Sequence, residues 1–434
     1  MLMHQYQFYH VLQVKVEFFS LFYASLIPSF KYGSDIDGIL FKRLKLSNQC
    51  IYNKMSDSSK EDYSDDFEVT PWKVEGSVDY ARLVKKFGTQ EITEELLERI
   101  KSFTGELHPL LEHKFFFSHR DLDWILNKYE NNEKFYLYTG RGPSGMVHLG
   151  HLMPWFFTKY LQDKFDSNLL FQITDDEKFL FGNKTMEEIN KNVYENILDI
   201  IAIGFNKSKT KIIVNSKHIK HLYSTSLEIA KRITFSTAKS IFGFTNSTNI
   251  GMIGFPPIQG VPCFLPSIIE GKPTPVLIPA AIDQDPYWRL TRDIAEKIGF
   301  CKPAQIHSKF LPSLQTVGKM SSSDPETAIF TTDNLDVIEK KISNTFTGGQ
   351  PTTALQKKLG GNPGICSVFS YLKYMFDTPY ESNERELRCR SGNLLCGECK
   401  HDLSNHSTSF ISLFQEKRER AKDLVSDFMY SEDR

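Results

Sequence analysis

His148 and His151, with Gly150 between them, are matched far down the chain by the loop Lys319-Met320-Ser321-Ser322-Ser323. The histidine pair follows a β-prone run, Phe135-Tyr136-Leu137-Tyr138, and the loop Thr139 to Pro143, where a helix-like run from His148 to Gln162 begins. Positions i and i+3 share one face of a helix, so both imidazoles can address a single polyanion. A helix N-terminus already favours phosphate through its free amides and dipole. Donors on that turn add stabilisation as charge develops on a departing pyrophosphate. Gly150 lacks a side chain, which would let a flat adenine ring approach the backbone. The second loop, with Asp324-Pro325-Glu326 as a helix start, offers a cation and hydroxyls suited to a transferring phosphate. Alone, paired histidines are commonly surface or metal-binding groups, and a Lys-Ser loop is commonly a solvated turn. Together they imply a split triphosphate site that adenylylates a carboxylic acid.

Such a site needs strand, glycine-rich loop and helix in succession, and the chain repeats that order. Leu169 to Thr174, Lys211 to Val214 and Pro275 to Pro279 read as further buried strands alternating with helical stretches. This predicts an α/β fold, a parallel sheet with helices on both faces. Ahead of it, Val69 to Val74 reads as a short strand with an edge proline, then helices over Asp79 to Phe87 and Thr93 to Phe103, the latter capped by Thr93. Domains are expected as a small mixed module over 67–132, a catalytic domain over 133–332 with a helical insertion at about 187–267, and a helical domain over 333–434. Residues 1–66 read as an extension, disordered or not native. Met55, before a Ser-rich acidic leader, looks like a more natural start. No internal repeat is visible.

Composition sets limits. With 434 residues, 40% hydrophobic and 24% charged, the chain has room for two or three ordinary globular domains. Seven cysteines without a regular framework suggest a reducing compartment. A net charge of −1 means that any nucleic-acid partner must find a local basic patch. Val16 to Phe30 is interrupted by Glu17 and Pro28, so it offers no uninterrupted membrane span.

The chain resembles the class I aminoacyl-tRNA synthetases, whose signatures are His-x-Gly-His and Lys-Met-Ser-x-Ser. Within that class it resembles the eukaryotic cytoplasmic tryptophanyl-tRNA synthetases, through Phe116 to Asp121, Phe135 to Pro143, Gln172 to Lys178, Ile241 to Thr245 and Ala281 to Arg289. The likeness runs from near Val69 almost to the end. It implies a Rossmann-type catalytic domain followed by an all-α anticodon-binding domain, in a cytoplasmic homodimer. The implied substrates are tryptophan, ATP with Mg2+, and tRNA(Trp), with no tightly bound cofactor. One departure stands out: Pro143-Ser144-Gly145-Met146-Val147-His148 has one residue fewer than the eukaryotic pattern, in a loop that lies near ATP in relatives.

An indole demands a large apolar slot and one acceptor for its N–H. Tyr138 and Gln172 can meet that need, although without the resemblance Tyr138 would pass for a core aromatic and Gln172 for an ordinary strand residue. The resemblance adds Thr174, Glu177, Gln259 and Gln284 as lining for the tryptophan site and its α-amino end. It places Gly140, Arg141, Gly142, Gly150, Met320, Ser321 and Ser322 around ATP. His148, His151 and Lys319 are the catalytic groups. Lys178 joins them, standing in for a second loop lysine where this chain has Ser322.

Other features have plainer readings. Asp175 and Asp176 are taken as structural, because neighbours on a strand point to opposite faces. Cys389, Cys396 and Cys399 beside His401 suggest zinc, but a single C-x-x-C leaves the expectation at no metal. Lys417, Arg418, Arg420 and Lys422, with Arg385, Arg388 and Arg390, are candidates for tRNA phosphates or simply a solvated helix face. The competing activities are tyrosine activation and a smaller nucleotidyltransferase sharing His-x-Gly-His; a catalytically silent interaction module is the non-enzymatic alternative.

Overall fold

The computed structural model describes residues 67–69, 74–76, 78–315, 320 and 324–431. The expectations for 1–66, Met55, Lys319, Ser321 and Ser322 fall outside them.

Two short strands, β1 Phe67–Val69 and β2 Val74–Gly76, pair antiparallel with Val69 opposite Val74. Val69 and Val74, expected on one strand, therefore lie on two paired strands, and residues 70–73 fall outside the described residues. The helices Tyr80–Phe87 and Glu94–Thr104 follow, capped by the side chains of Asp79 and Thr93.

The main sheet is built from β3 Gln90–Glu91, β4 Phe116–Arg120, β5 Tyr136–Arg141, β6 Asn168–Ile173, β7 Thr210–Val214, β8 Val276–Ala281 and β9 Ala304–Ser308. Their order is β3-β4-β9-β8-β5-β6-β7. From β9 to β7 neighbours are parallel, while β4 runs antiparallel to β9 and β3 antiparallel to β4. The chain moves outward from β5 through β6 to β7, then crosses to β8 and β9 on the other side of β5. That reversal leaves a crevice beyond the carboxyl ends of β5 and β8, where open α/β sheets bind ligands.

Alternation along the strands sorts residues between two cores. Leu137, Leu169, Phe171 and Ile173 join a cluster with Trp155 and Phe157, from the helix Leu149–Phe165. Tyr136, Tyr138 and Leu170 face the opposite cluster, with Phe255, Tyr287 and Trp288. Gln172 lies two residues beyond Leu170 and so shares its face with Tyr138. Two cores on one sheet are the signature of a three-layer α/β domain.

The helical insertion begins later than expected. The span 187–267 contains β7, and the helix Met186–Ala202 belongs to the sheet domain, burying Ile189, Val193, Ile197 and Ile200. The helical excursion lies between β7 and β8. Beyond 333 the chain is helical, ending in the long helix Cys396–Ala421 and the short Val425–Phe428. This region is tied to the sheet domain: the Tyr430 N–H donates to the Ile212 carbonyl at 2.9 Å, and Arg418 forms ion pairs with Glu195 and Asp199, each at 2.7 Å. Arg418 and Arg385, the latter held by Asp377 and Asp402, are thus committed internally and drop out as tRNA contacts. Lys417, Arg388, Arg390 and Arg420 are exposed.

Candidate active site

The start of the His148 helix is joined by backbone to the segment 329–331. The Leu149 N–H donates to the Ile329 carbonyl and the Thr331 N–H to the Val147 carbonyl, both at 3.0 Å. His148 thereby bridges antiparallel to Phe330, and the segment after the Lys319 loop is pinned beside the start of the helix Leu149–Phe165. A Cβ on Gly150 would lie 2.7 Å from Met320 Cε. Gly150 is therefore where the two motifs touch, so its missing side chain makes room for Met320 rather than for a ring alone. Met320 is buried, and its sulfur accepts from the Tyr371 hydroxyl at 3.2 Å.

His148 caps the helix and stacks on His151, with ring centroids 3.5 Å apart. The His148 backbone N–H donates to His151 Nδ1 at 3.2 Å. A neutral His151 must then carry its proton on Nε2.

The loop between β5 and His148 is braced by the helix that the sequence reading gave to the insertion. The side-chain amides of Asn192 and Asn196 donate to the carbonyls of Pro143 and Gly145 at 3.3 and 3.0 Å. Lys184 donates to the Ser144 carbonyl at 2.5 Å. Arg141 reaches Asn196 through Nε at 3.1 Å, and burial lowers its guanidinium to about 10 against the pull of Asp199 and Glu177. These asparagines were not legible in sequence, because polar residues in an amphipathic helix look solvated until the loop above them is placed.

Gly142 lies against the acidic helix start at Asp175–Phe181. A Cβ there would sit 2.1 Å from Lys178 Cε and 2.9 Å from Glu177 Oε2. Lys178 donates to Glu177 Oε1 at 3.0 Å, and the Thr174 hydroxyl donates to Glu177 Oε2 at 2.7 Å. Lys178 is thus held under the glycine-rich loop by a carboxylate, not left as a surface lysine.

The opposite end of the crevice is a buried polar chain. The Tyr138 hydroxyl, which burial holds well above its ordinary value and so protonated, donates to Gln172 Oε1 at 2.5 Å. It accepts from Gln259 Nε2 at 3.2 Å. Gln172 Nε2 donates to Asn215 Oδ1, and Asn215 Nδ2 to Asp176 Oδ1, both at 2.9 Å. Among the described residues Gln259 Oε1 is buried with no hydrogen-bond partner, an acceptor left for an N–H. Trp288 meets Tyr138 edge-on at 6.2 Å and walls the slot. Gln284 is half-buried at the turn from β8 into the helix Asp285–Ala295, apart from this chain of bonds. Asn215 was missed in sequence; its place just past β7 was the available signal, since such positions face the ligand crevice.

Asp175 and Asp176 are structural, but not for the reason read from sequence. They begin a helix instead of lying on a strand. Asp175 accepts from the Ser216 backbone and hydroxyl, while burial raises Asp176 to about 7. A carboxyl raised in this way binds its proton more tightly when folded, so its contribution to stability is fullest below about pH 4 and lost as pH rises through 7. Its effect on the pocket runs the other way. The ionised form is the better acceptor for Asn215, and so orients Gln172 toward Tyr138. Ligand binding in this slot is expected to weaken as pH falls from 8 to 6, and Asp176→Asn to flatten that profile. Parallel pH profiles in the two proteins would contradict this linkage.

Comparison with known proteins agrees with this geometry. The family described as tRNA synthetases class I (W and Y) matches residues 130–412. Tryptophan–tRNA ligase from Pyrococcus furiosus is 52% identical over 372 residues, covering 85% of this chain and 95% of its own. That of Pyrobaculum calidifontis is 48% identical over 369 residues, covering 85% and 98%. Among solved structures, Plasmodium falciparum tryptophanyl-tRNA synthetase superposes with a TM-score of 0.77 at 40% identity, over 81% of this chain and 98% of that one. The Encephalitozoon cuniculi enzyme, bound to tryptophan, gives 0.74 at 36%, over 81% and 98%. With identity of this extent over nearly the whole of its relatives, and a mostly parallel sheet between two layers of helices, the chain belongs to the class I tryptophan–tRNA ligases.

Proposed function

We propose that the chain activates tryptophan with Mg-ATP and transfers it to tRNA(Trp). The observation that supports this reading is the backbone pairing of 147–149 with 329–331, which holds the His148 turn against the segment that follows Met320. A tryptophan carboxylate oxygen attacks the α-phosphorus, and the bond to the β-phosphate oxygen breaks, releasing pyrophosphate. The terminal ribose 2′-hydroxyl of the tRNA then attacks the activated carbonyl, and AMP leaves. Positioning supplies most of the rate in such a reaction. His148, His151, Lys319 and Lys178 stabilise the charge passing to pyrophosphate. Gly140, Arg141, Gly142, Gly150, Met320, Ser321 and Ser322 surround ATP. Tyr138, Gln172 and Gln259 take the indole N–H, with Thr174, Glu177 and Gln284 toward the α-amino end.

ATP–pyrophosphate exchange tests this directly: it is expected with tryptophan, and neither with tyrosine nor without amino acid. Equal exchange with tyrosine would overturn it. Tyr138→Phe leaves Gln172 Oε1 and Gln259 Nε2 unpaired in a buried slot, which costs about 1–3 kcal/mol. KM for tryptophan should therefore rise roughly ten- to hundredfold, measured by the same exchange.

The homodimer is part of the proposal. Tyr223, Leu227 and Ile250 are exposed by 57%, 51% and 82% on the adjoining helices Ile219–Ala230 and Ile250–Gly260, the kind of apolar face that a second copy covers. Light scattering at working concentration should give twice the chain mass. Among the described residues no helix is long and apolar enough to cross a membrane; the cytoplasmic assignment rests on cysteine usage.

A further inference from the structure

Two residues of the long helix Cys396–Ala421 grip the segments that frame the phosphate site. Gln415 and Arg418 stand three apart and so share one face of that helix. Each holds a different segment.

Gln415 Nε2 donates to the carbonyls of Thr331 and Asp333, at 3.0 and 2.9 Å. The N–H of Thr331, a buried residue, donates in turn to the Val147 carbonyl at 3.0 Å. Thr331 thus joins the long helix on one side to the backbone just before His148 on the other. The segment around it is closely held. Asp333 Oδ2 accepts from the Phe330 N–H at 2.9 Å and from Lys341 at 2.7 Å, and the Phe330 ring lies edge-on to His148 with centroids 5.9 Å apart. A displacement that begins at Gln415 therefore reaches the His148 ring.

Arg418 acts on the loop before His148. It meets Asp199 Oδ1 and Glu195 Oε2, each at 2.7 Å, and donates to the Glu195 carbonyl at 3.3 Å. Asn192, Asn196 and Asp199 recur at i, i+4 and i+7 along the helix Met186–Ala202, a single stripe on one face. Arg418 anchors one end of the stripe. Its other members hold the carbonyls of Pro143 and Gly145, and Asn196 also accepts from Arg141 Nε.

We propose that Gln415 and Arg418 are positioning residues for adenylylation: through them the helical region beyond residue 333 sets the His148 turn and the loop 143–145 at the spacing that the ATP phosphates require. This role rests on the reaction proposed above. The bonds that set Tyr138, Gln172 and Gln259 come from Asn215 and from one another, so the tryptophan slot is held independently.

The test is tryptophan-dependent ATP–pyrophosphate exchange in the full chain, with ATP and tryptophan varied separately. In Gln415→Ala and in Arg418→Met, kcat/KM for ATP is expected to fall roughly ten- to hundredfold, a loss of the size that misplacement remote from the chemistry can cause. KM for ATP should rise, and KM for tryptophan should stay within about twofold. Arg418→Lys should recover part of the loss, because it keeps a cation beside Asp199 without the second arm to Glu195. Arg418→Met combined with Asn196→Ala should lose less than the product of the separate losses, since both act through one helix. Glu419→Ala, exposed on the same long helix, should match the unmodified chain. Circular dichroism melting shows whether each variant is folded at the assay temperature; if Arg418→Met is not, Gln415→Ala, which removes no charge, decides. A smaller folded fraction lowers kcat and leaves both KM values unchanged. That pattern, or unaltered ATP kinetics in Gln415→Ala, would overturn the positioning role alone, whereas no exchange in the unmodified chain would overturn the proposed reaction and this role with it.

Discussion

Lys178→Ala is expected to lower kcat for pyrophosphate exchange by roughly 10²- to 10³-fold, the loss seen when one preorganised transition-state donor is removed. KM for tryptophan should stay within about twofold, because an interaction made only in the transition state does not weaken ground-state binding. The ammonium is held 3.0 Å from Glu177 Oε1, beneath the loop that leads from β5 to His148. Gly142 offers an independent check. Its Cβ would overlap Lys178 Cε at 2.1 Å, so Gly142→Ala displaces the ammonium without removing it. It should reproduce the kcat loss, and combining the two changes should add little, since both act through one group. An equal rise in KM with kcat unchanged would contradict this role, and full additivity would show that Gly142 acts separately.

Arg120→Ala should produce the largest loss of stability. Arg120 grips Asp285 with Nε at 2.7 Å and a second nitrogen at 2.9 Å, and also donates to the carbonyls of Phe87 and Gly88. The Asp285 side chain is wholly buried. Removing one partner of such a pair leaves an uncompensated charge and costs about 3–5 kcal/mol. His307 lies 3.8 Å from Asp285, and with Arg120 in place burial holds it down to about 4, neutral at pH 7. Urea unfolding followed by circular dichroism gives the figure. Arg120→Lys should recover only part of it, because an ammonium cannot reproduce the two-pronged geometry. Gln284 precedes Asp285 and caps the same helix, so KM for tryptophan should rise in Arg120→Ala even at temperatures where the protein stays folded. A loss below about 1 kcal/mol would place the pair in the class of exposed ion pairs.

Sequence alone determined much here, because its signals were local. The strand, loop and helix around His148, the strands at 169–173, 211–214 and 276–279, and the cap at Thr93 follow from periodicity and side-chain chemistry acting over a few residues. The two phosphate motifs carried the family, and comparison with relatives agrees. Val69 and Val74 read as one strand for the same reason: each is β-prone by itself, and only their pairing assigns them to two strands.

Everything that depended on partners distant in sequence was decided by tertiary structure. The strand Phe116–Arg120 enters the sequence only through a resemblance, and its use becomes visible when Arg120 meets Asp285 across 165 residues. Asn215 and Asp176 became part of the pocket once parallel pairing of β6 with β7 set Gln172 beside them. Arg418 and Arg385 looked like free cations until folding buried carboxylates against them. Cys366 joins Cys389, Cys396 and Cys399 around one small cavity only once the helices are packed. Local chemistry fixes which groups can react, while burial and long-range pairing fix which of them meet, and a one-dimensional pattern holds no direct record of that second step.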